Sequence, residues 1–151
     1  MRVVVGLGSN LGEREATLRR AIAKLRDLAP VEAISRVYAT APIGPPQPDY
    51  LNAAVLLLWE KPLRALLAAL LRIEADAGRV RRERWQARTL DLDILWTDGP
   101  PVAEAELTVP HARLHERAFA VLPLLDVAPD APYSAAAVAD QRIEATTIAL
   151  D

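Results

Sequence analysis

The chain resolves into elements by where its apolar residues recur. Arg2 to Gly8 opens with a β-branched run and predicts a buried first strand. A break follows at Gly8-Ser9-Asn10-Leu11-Gly12. From Glu13, Leu18, Ala21, Ile22, Leu25 and Leu28 fall at helical spacing with basic residues on the outward positions, and Pro30 stops the helix. Val31 to Tyr38 predicts a second strand, with Val31, Ala33 and Val37 on one face. Tyr50 to Trp59 predicts a third. Pro62 suits a first helical position, and Leu63, Leu66, Leu67, Leu70, Ile73 and Ala77 stripe a second helix that Gly78 caps. In Leu90 to Trp96 the alternation is strict: Leu90, Leu92, Ile94 and Trp96 share one face, and Asp91 and Asp93 share the other. Beyond Asp98-Gly99-Pro100-Pro101 the pattern predicts a short edge element near Val102 and a run ending Leu107-Thr108-Val109-Pro110. A third helix, roughly Leu114 to Asp126, would bury Leu114, Ala118, Val121, Leu122 and Leu125. The tail from Ala128 to Asp151 carries one weak helical signal and no evident chemistry.

Strand, helix, two strands, helix, strand is the βαββαβ order of an α+β, ferredoxin-like sandwich, a mainly antiparallel sheet flanked by helices, here with accessory C-terminal elements. At 151 residues, without repeats or linkers, the expectation is a single domain over 1–151. The longest apolar runs, Ala53 to Trp59 and Ala65 to Leu71, are too short to span a membrane, and no signal peptide is evident, so a soluble, cytoplasmic protein is expected. A monomer is the default.

Charge sharpens this picture in one place. The net charge is −2, which argues against a general nucleic-acid binder, yet five of the 16 arginines lie between Arg79 and Arg88. Arginine's planar fork suits phosphate oxygens. With no cysteine in the chain, any metal must be held by oxygen or imidazole. Two carboxylates on one strand face, directly after an arginine-rich loop, suit a divalent metal with polyphosphate; the alternative is an amphipathic strand with a solvated acidic face.

Other candidates carry two readings each. The glycines near Gly8 match neither a dinucleotide fingerprint nor a Walker loop, and a tight strand-to-helix turn accounts for them. Ala39 to Asp49 holds four prolines and forms a long stiffened loop, either a binding lid or a connector. Asn52 interrupts an apolar strand; its carboxamide pairs with backbone or reads an amide-like ligand edge. Glu74 lies at the border of its helix stripe, solvated or facing a polar ligand. Phe119, by pattern alone, is core. His111 and His115 are four apart, but Pro110 places His111 outside the helix, which disfavours a zinc pair.

Taken together, Gly8-Ser9-Asn10-Leu11, Thr40 to Val55 (TAPIGPPQPDYLNAAV), Gly78-Arg79-Val80-Arg81, Glu83-Arg84-Trp85, Arg88-Thr89-Leu90-Asp91-Leu92-Asp93-Ile94 and Leu107-Thr108-Val109-Pro110-His111 resemble the 6-hydroxymethyl-7,8-dihydropterin pyrophosphokinase family of folate biosynthesis. The correspondence runs in order from about Met1 to Asp130. That resemblance implies transfer of diphosphate from ATP to the pterin's hydroxymethyl group, with release of AMP and with two Mg2+ ions. It implies metal binding by Asp91 and Asp93 and catalytic roles for these two with Arg79 and Arg88. Around ATP it implies Glu74, Arg81, Arg84, Trp85, Arg88, Ile94, Thr108, His111 and Arg117. Around the pterin it implies Thr40, Ala41, Ile43, Gly44, Tyr50, Asn52, Trp85 and Phe119, with the ring stacked between Tyr50 and Phe119. Its partners are then small molecules, with neither nucleic acid nor membrane among them.

The chain departs from the family pattern at Glu106, where a basic residue is common, and at Ala112, where a larger residue occurs; the arginine and proline loops are each about a residue short. A rival reading is a non-catalytic ferredoxin-like RNA-binding module, gripping single strands through the Arg-Trp loop. The acidic total and the lack of an RNP-like aromatic motif count against it.

Overall fold

In a computed structural model, residues 1–10, 13–40, 49–78 and 90–151 are described. The elements are β1 (Arg2–Ser9), α1 (Arg14–Leu28), β2 (Val31–Ile34), β3 (Tyr38–Thr40), β4 (Tyr50–Leu58), α2 (Leu63–Ala77), β5 (Asp91–Thr97), the hairpin β6 (Val102–Glu104) and β7 (Leu107–Val109), α3 (Ala118–Val127) and β8 (Glu144–Ala145). The main sheet runs β5-β1-β4-β3-β8, with β2 also on β4, and every pairing is antiparallel. This is the ferredoxin-like arrangement that the element order predicts, extended at one edge by the tail.

Both faces of the sheet are buried. Val3, Val5, Leu7, Val55 and Leu57 pack one face against Leu18, Ile22 and Leu25 of α1 and Leu66, Leu70 and Ile73 of α2. Val4, Ala54, Leu56, Leu95 and Trp96 form the other face, beneath Ala118, Val121 and Leu124 of α3. Each fully buried leucine is worth roughly 1.5–3 kcal/mol relative to exposure, so the two helical stripes suffice to set which strand face looks inward.

Three expectations need correction, and local hydrogen bonding or register explains each. Val31–Tyr38 is two strands. At Ser35 half of the ladder is replaced: its N–H still donates to the Ala54 carbonyl at 2.9 Å, but its Oγ accepts the Ala54 N–H at 2.8 Å and donates to the Arg36 carbonyl at 2.7 Å, a side-chain bond competing with strand pairing. A register shift between Val31 and Ala33 also turns Ala33 to the α3 face, opposite Val37. In β5, Val5 pairs with Ile94 but Val4 with Trp96, so Leu95 is an extra residue and Trp96 joins the α3 side instead of the side holding Leu92. The third helix is interrupted: a 3-10 turn spans Leu114–Glu116, Arg117 is extended (φ −119°, ψ 106°), and only then does α3 begin. This resets the helical phase, so Ala120, Pro123, Leu124 and Val127 are buried while Leu122 and Leu125 are half-buried. Gly78 does end α2, but at φ −104°, where no left-handed freedom is needed.

Polar ties close the fold around these layers. Tyr38 donates to Asp126 Oδ2 at 2.8 Å, and the Arg36 guanidinium bonds the same carboxylate, fixing β3 to α3. Burial, with that bond, pushes the Tyr38 hydroxyl up to about 12. At the opposite edge the Arg2 guanidinium joins Asp98 at 3.1 Å and Asp130 at 2.6 Å. Burial would raise the Asp98 pKa, but the Arg2 backbone N–H and guanidinium outweigh it and hold it below the ordinary 3.8. The Arg2 hydrogen bond does the same for Asp130. Groups with depressed folded pKa values contribute stability that is complete above the unfolded value and lost as pH falls through the folded one. The wild-type melting temperature should therefore fall more steeply than that of Arg2→Met as pH drops below about 4. Parallel melting curves over that window would show that the two pairs add nothing.

Candidate active site

The carboxylates of β5 owe their setting to the strands beside them. Asp91 pairs across to Gly8 and Asp93 to Gly6 on β1, which pair in turn to Asn52 and Ala54 on β4. These positions share the sheet face that α3 covers only in part. Two glycines spaced two apart on a strand leave that face bare. A Cβ at Gly8 would lie 2.9 Å from Asn52 Nδ2, and one at Gly6 would lie 2.9 Å from Leu95 Cδ1. The glycines are therefore the floor of a cavity, and they let the Asn52 carboxamide lie flat across β1.

That cavity, about 890 Å3, has two kinds of lining. At one side stand Asp91, half-buried, and Asp93, exposed. At the other are Tyr50, Asn52 and Thr40, with Thr40 Oγ1 donating to Asn52 Oδ1 at 3.4 Å. Arg117 and Phe119 enter from the start of α3, with the Arg117 guanidinium 5.7 Å from the Phe119 ring centroid. Phe119 is 40% exposed, so it is a cavity wall and not core. Helix initiation at Ala118 presents it: the extended Arg117 swings the helix start over the sheet, and Phe119 is turned away from the packed side.

Glu74, Ile94, Thr108 and His111 stand outside this lining. Glu74, near the end of α2, accepts the Leu92 N–H at 2.7 Å and so braces the outer edge of β5 between the two aspartates. Ile94 is buried on the opposite face, its side chain in the core under the helices. Thr108 is exposed on β7, and His111 follows the cis Val109–Pro110 bond with its N–H donating to the Leu95 carbonyl at 3.0 Å. Glu106 faces Arg64 of α2 at 3.9 Å, so this departure from the family pattern serves a surface ion pair. Ala41, Ile43, Gly44, Arg79, Arg81, Arg84, Trp85 and Arg88 lie outside the described residues.

The sequence reading missed Gly6, Leu95, Gln141, Arg142 and Ile143, all of which line the cavity, and gave Gly8 only a turn role. The spacing of Gly6 and Gly8 on one strand was a usable signal. The three tail residues had none.

Among the described residues, no group of three or more acidic or histidine side chains is placed to hold a metal. Two aspartates on one face still suit Mg2+, which keeps several waters and takes one or two carboxylates together with substrate phosphates.

Comparison with known proteins agrees with the geometry. Residues 4–129 match the family model described as 7,8-dihydro-6-hydroxymethylpterin-pyrophosphokinase. A Synechocystis sp. protein named 2-amino-4-hydroxy-6-hydroxymethyldihydropteridine pyrophosphokinase is 43% identical over 129 residues, covering 84% of this chain and 66% of the relative. One of the same name from Methylorubrum extorquens is 40% identical over 132 residues, covering 85% of this chain and 84% of the relative. A solved structure described as HPPK-DHPS in complex with substrates superposes with a TM-score of 0.66 at 14% identity, over 89% of this chain and 43% of that one, which shows a shared fold.

The bare floor generates a prediction that separates binding from stability. Gly8→Ala adds a methyl against Asn52 without demanding a left-handed backbone. Loss of glycine's freedom in the unfolded chain offsets the contact by roughly 0.4–1 kcal/mol. The melting temperature should hold, while affinity for a hydroxymethyl pterin drops about tenfold, or ~1.4 kcal/mol. A fluorescence titration with the pterin measures this, and unchanged affinity would show that the floor is not in contact with the ligand.

Proposed function

This chain belongs to the 7,8-dihydro-6-hydroxymethylpterin-pyrophosphokinase family, and on that premise we propose that it transfers the β,γ-diphosphate of ATP to the hydroxymethyl group of 6-hydroxymethyl-7,8-dihydropterin. The pterin hydroxymethyl oxygen forms a new bond to the β-phosphorus and loses its proton to solvent. The bond from that phosphorus to the α,β-bridging oxygen breaks, and AMP leaves. The observation that carries this reading is the meeting, in one cavity, of a carboxylate pair with an amide-and-aromatic end.

The two ends divide the work. Tyr50 and Phe119 offer flat surfaces to the pterin ring. Asn52 supplies donor and acceptor together for its amide-like edge, and Thr40, bonded to Asn52, keeps the carboxamide from turning. The nucleotide's phosphates then lie toward Asp91 and Asp93, with Arg117 adding positive charge from α3. Asp91 and Asp93 would hold two Mg2+ ions brought with ATP, which would supply charge neutralisation for the triphosphate and polarise the reacting oxygens. Glu74, by gripping the amide between the two aspartates, keeps the strand edge from fraying and the carboxylates aimed. Asp93, the more exposed of the pair, takes the hydrogen bond of the attacking hydroxyl. The family resemblance assigns Arg79, Arg81, Arg84, Trp85 and Arg88 to the phosphates and nucleotide, and Ala41, Ile43, Gly44 and Trp85 to the pterin. Thr108 and His111 border the nucleotide beyond the cavity, and Ile94, its side chain in the core under the helices, does not.

A single-strand RNA grip fits poorly, because the open sheet face carries two carboxylates where nucleic-acid phosphates would run. Among the described residues no helix is long and apolar enough to cross a membrane.

Incubation with ATP, magnesium and the hydroxymethyl dihydropterin should yield AMP and the pterin diphosphate. Asp91→Ala and Asp93→Ala should each lower that turnover by about 100-fold or more, in line with the loss of a main electrostatic contact in the transition state. Near wild-type AMP formation by either variant would remove the metal-holding role. Salt-sensitive RNA binding with no AMP from the wild type would overturn the reading as a whole.

A further inference from the structure

The cavity wall between α3 and β3 is made by a part of the chain that the family match does not reach. The match ends at residue 129, and Gln141, Arg142 and Ile143 line the same cavity as Phe119 and Thr40. Their path is fixed at both ends. Gln141 bridges the start of α3: its Oε1 accepts the Ala118 N–H at 2.8 Å, and its Nε2 donates to the Glu116 carbonyl at 2.6 Å. Three residues on, Glu144 pairs with Ala39 and Ala145 with Tyr38. Thr146 then ties to the Val37 carbonyl through both its N–H, at 2.8 Å, and its hydroxyl, at 2.9 Å. Farther along, Leu150 is buried in the core under the helices, so the tail wraps the sheet edge from one face to the other.

Residues 141–143 therefore span the gap from the base of Phe119 to the strand carrying Thr40, held taut by bonds at each side. What they present inward is chemically mixed. Ile143 is half-buried and packs against the α3-side core while lining the cavity. Arg142 is exposed, and its guanidinium has no ion pair or hydrogen bond among the described residues. An apolar branch next to an unpaired cation on an arginine's flexible stem matches the edge and face of a flat, electron-rich heterocycle.

We propose that the tail segment Gln141–Ile143 is the side wall of the pterin pocket, with Ile143 as a specificity-determining residue, Arg142 as the cation along the ring's open edge and Gln141 as the positioning residue that clamps the wall to α3. This rests on the pterin reading of the same site. The wall acts on the heterocycle alone, because the phosphates lie at the aspartate end. The glycine floor and Asn52 then select the amide edge, and the tail selects the width of the ring.

Steady-state kinetics with each substrate varied in turn test it, together with pterin titration in the presence of a non-hydrolysable ATP analogue. Ile143→Ala should raise KM for the pterin about tenfold, the scale on which missing methylenes are felt in a pocket, and leave KM for ATP unchanged. Ile143→Val should restore most of the loss, and Arg142→Ala, at an exposed position with no fold-holding bond, should raise the pterin KM alone. Gln141→Ala should weaken the pterin titration in the same direction. Equal shifts in both KM values, or none in Arg142→Ala and Ile143→Ala, would overturn the wall assignment while the wild type still makes AMP. A wild type that makes no AMP and binds no pterin would instead sink the reading on which the assignment stands.

Discussion

The register of β1 against β5 is the constraint on which the rest of the site depends. Side chains on a strand alternate strictly, so a one-residue slip would send Asp91 and Asp93 into the helix-side core and bring Leu90 and Leu92 to the cavity. Burial of Leu90, Leu92 and Ile94 under α2 forbids that slip. Unpaired carboxylates in that core would meet a desolvation cost of several kcal/mol each. The Glu74 carboxylate adds a polar lock on the Leu92 amide of β5, a strand at the end of the sheet. Hydrophobic burial thus chooses the face, and a hydrogen bond holds the edge.

The same register decides what the carboxylates look at. Opposite them stand glycines, and across the glycines stands Asn52. Had β1 carried ordinary β-branched residues at positions 6 and 8, as it does at Val3, Val4 and Val5, the sheet face would have been filled and packed like the rest. The extra residue at Leu95 completes the change of character along β5. Before it, the α3-side face is polar and open at Asp91 and Asp93; from it onward, Leu95 and Trp96 both turn to α3 and close the face. A single bulge separates an open cavity from a helix-packing surface, in keeping with the use of bulges beside functional sites.

Much of this was legible in the sequence because it depends on short-range periodicity. The Leu90-to-Ile94 alternation sufficed to pair the aspartates on one face. The stripe of Leu63, Leu66, Leu70 and Ile73 sufficed for α2. What periodicity cannot report is the single added residue that shifts register, so Trp96 and Ala33 were assigned to the wrong faces. It also cannot report a side chain that replaces a ladder bond, as Ser35 does, or an extended residue that resets helix phase, as Arg117 does. Asn52 and Phe119 show a different limit. Pattern alone left Asn52 open and sent Phe119 to the core; only the family's motifs moved them to a pocket, and the described geometry places both at one cavity.

The tail marks where both kinds of reading run out. It is proline-spaced and rich in alanine, with little periodic signal, and it lies past the family match. Yet its position is set by strong local choices: the Gln141 side chain meeting orphan backbone groups at the start of α3, a two-residue strand on β3, and Leu150 in the core. Those contacts are all long-range in sequence, the Thr146 bonds to Val37 spanning 109 residues, so no window along the chain contains them. A sheet edge that would otherwise be exposed needs covering, and the segment that covers it also walls the cavity. Edge protection and pocket shape are then one structural solution, and substitutions in the tail act on both at once.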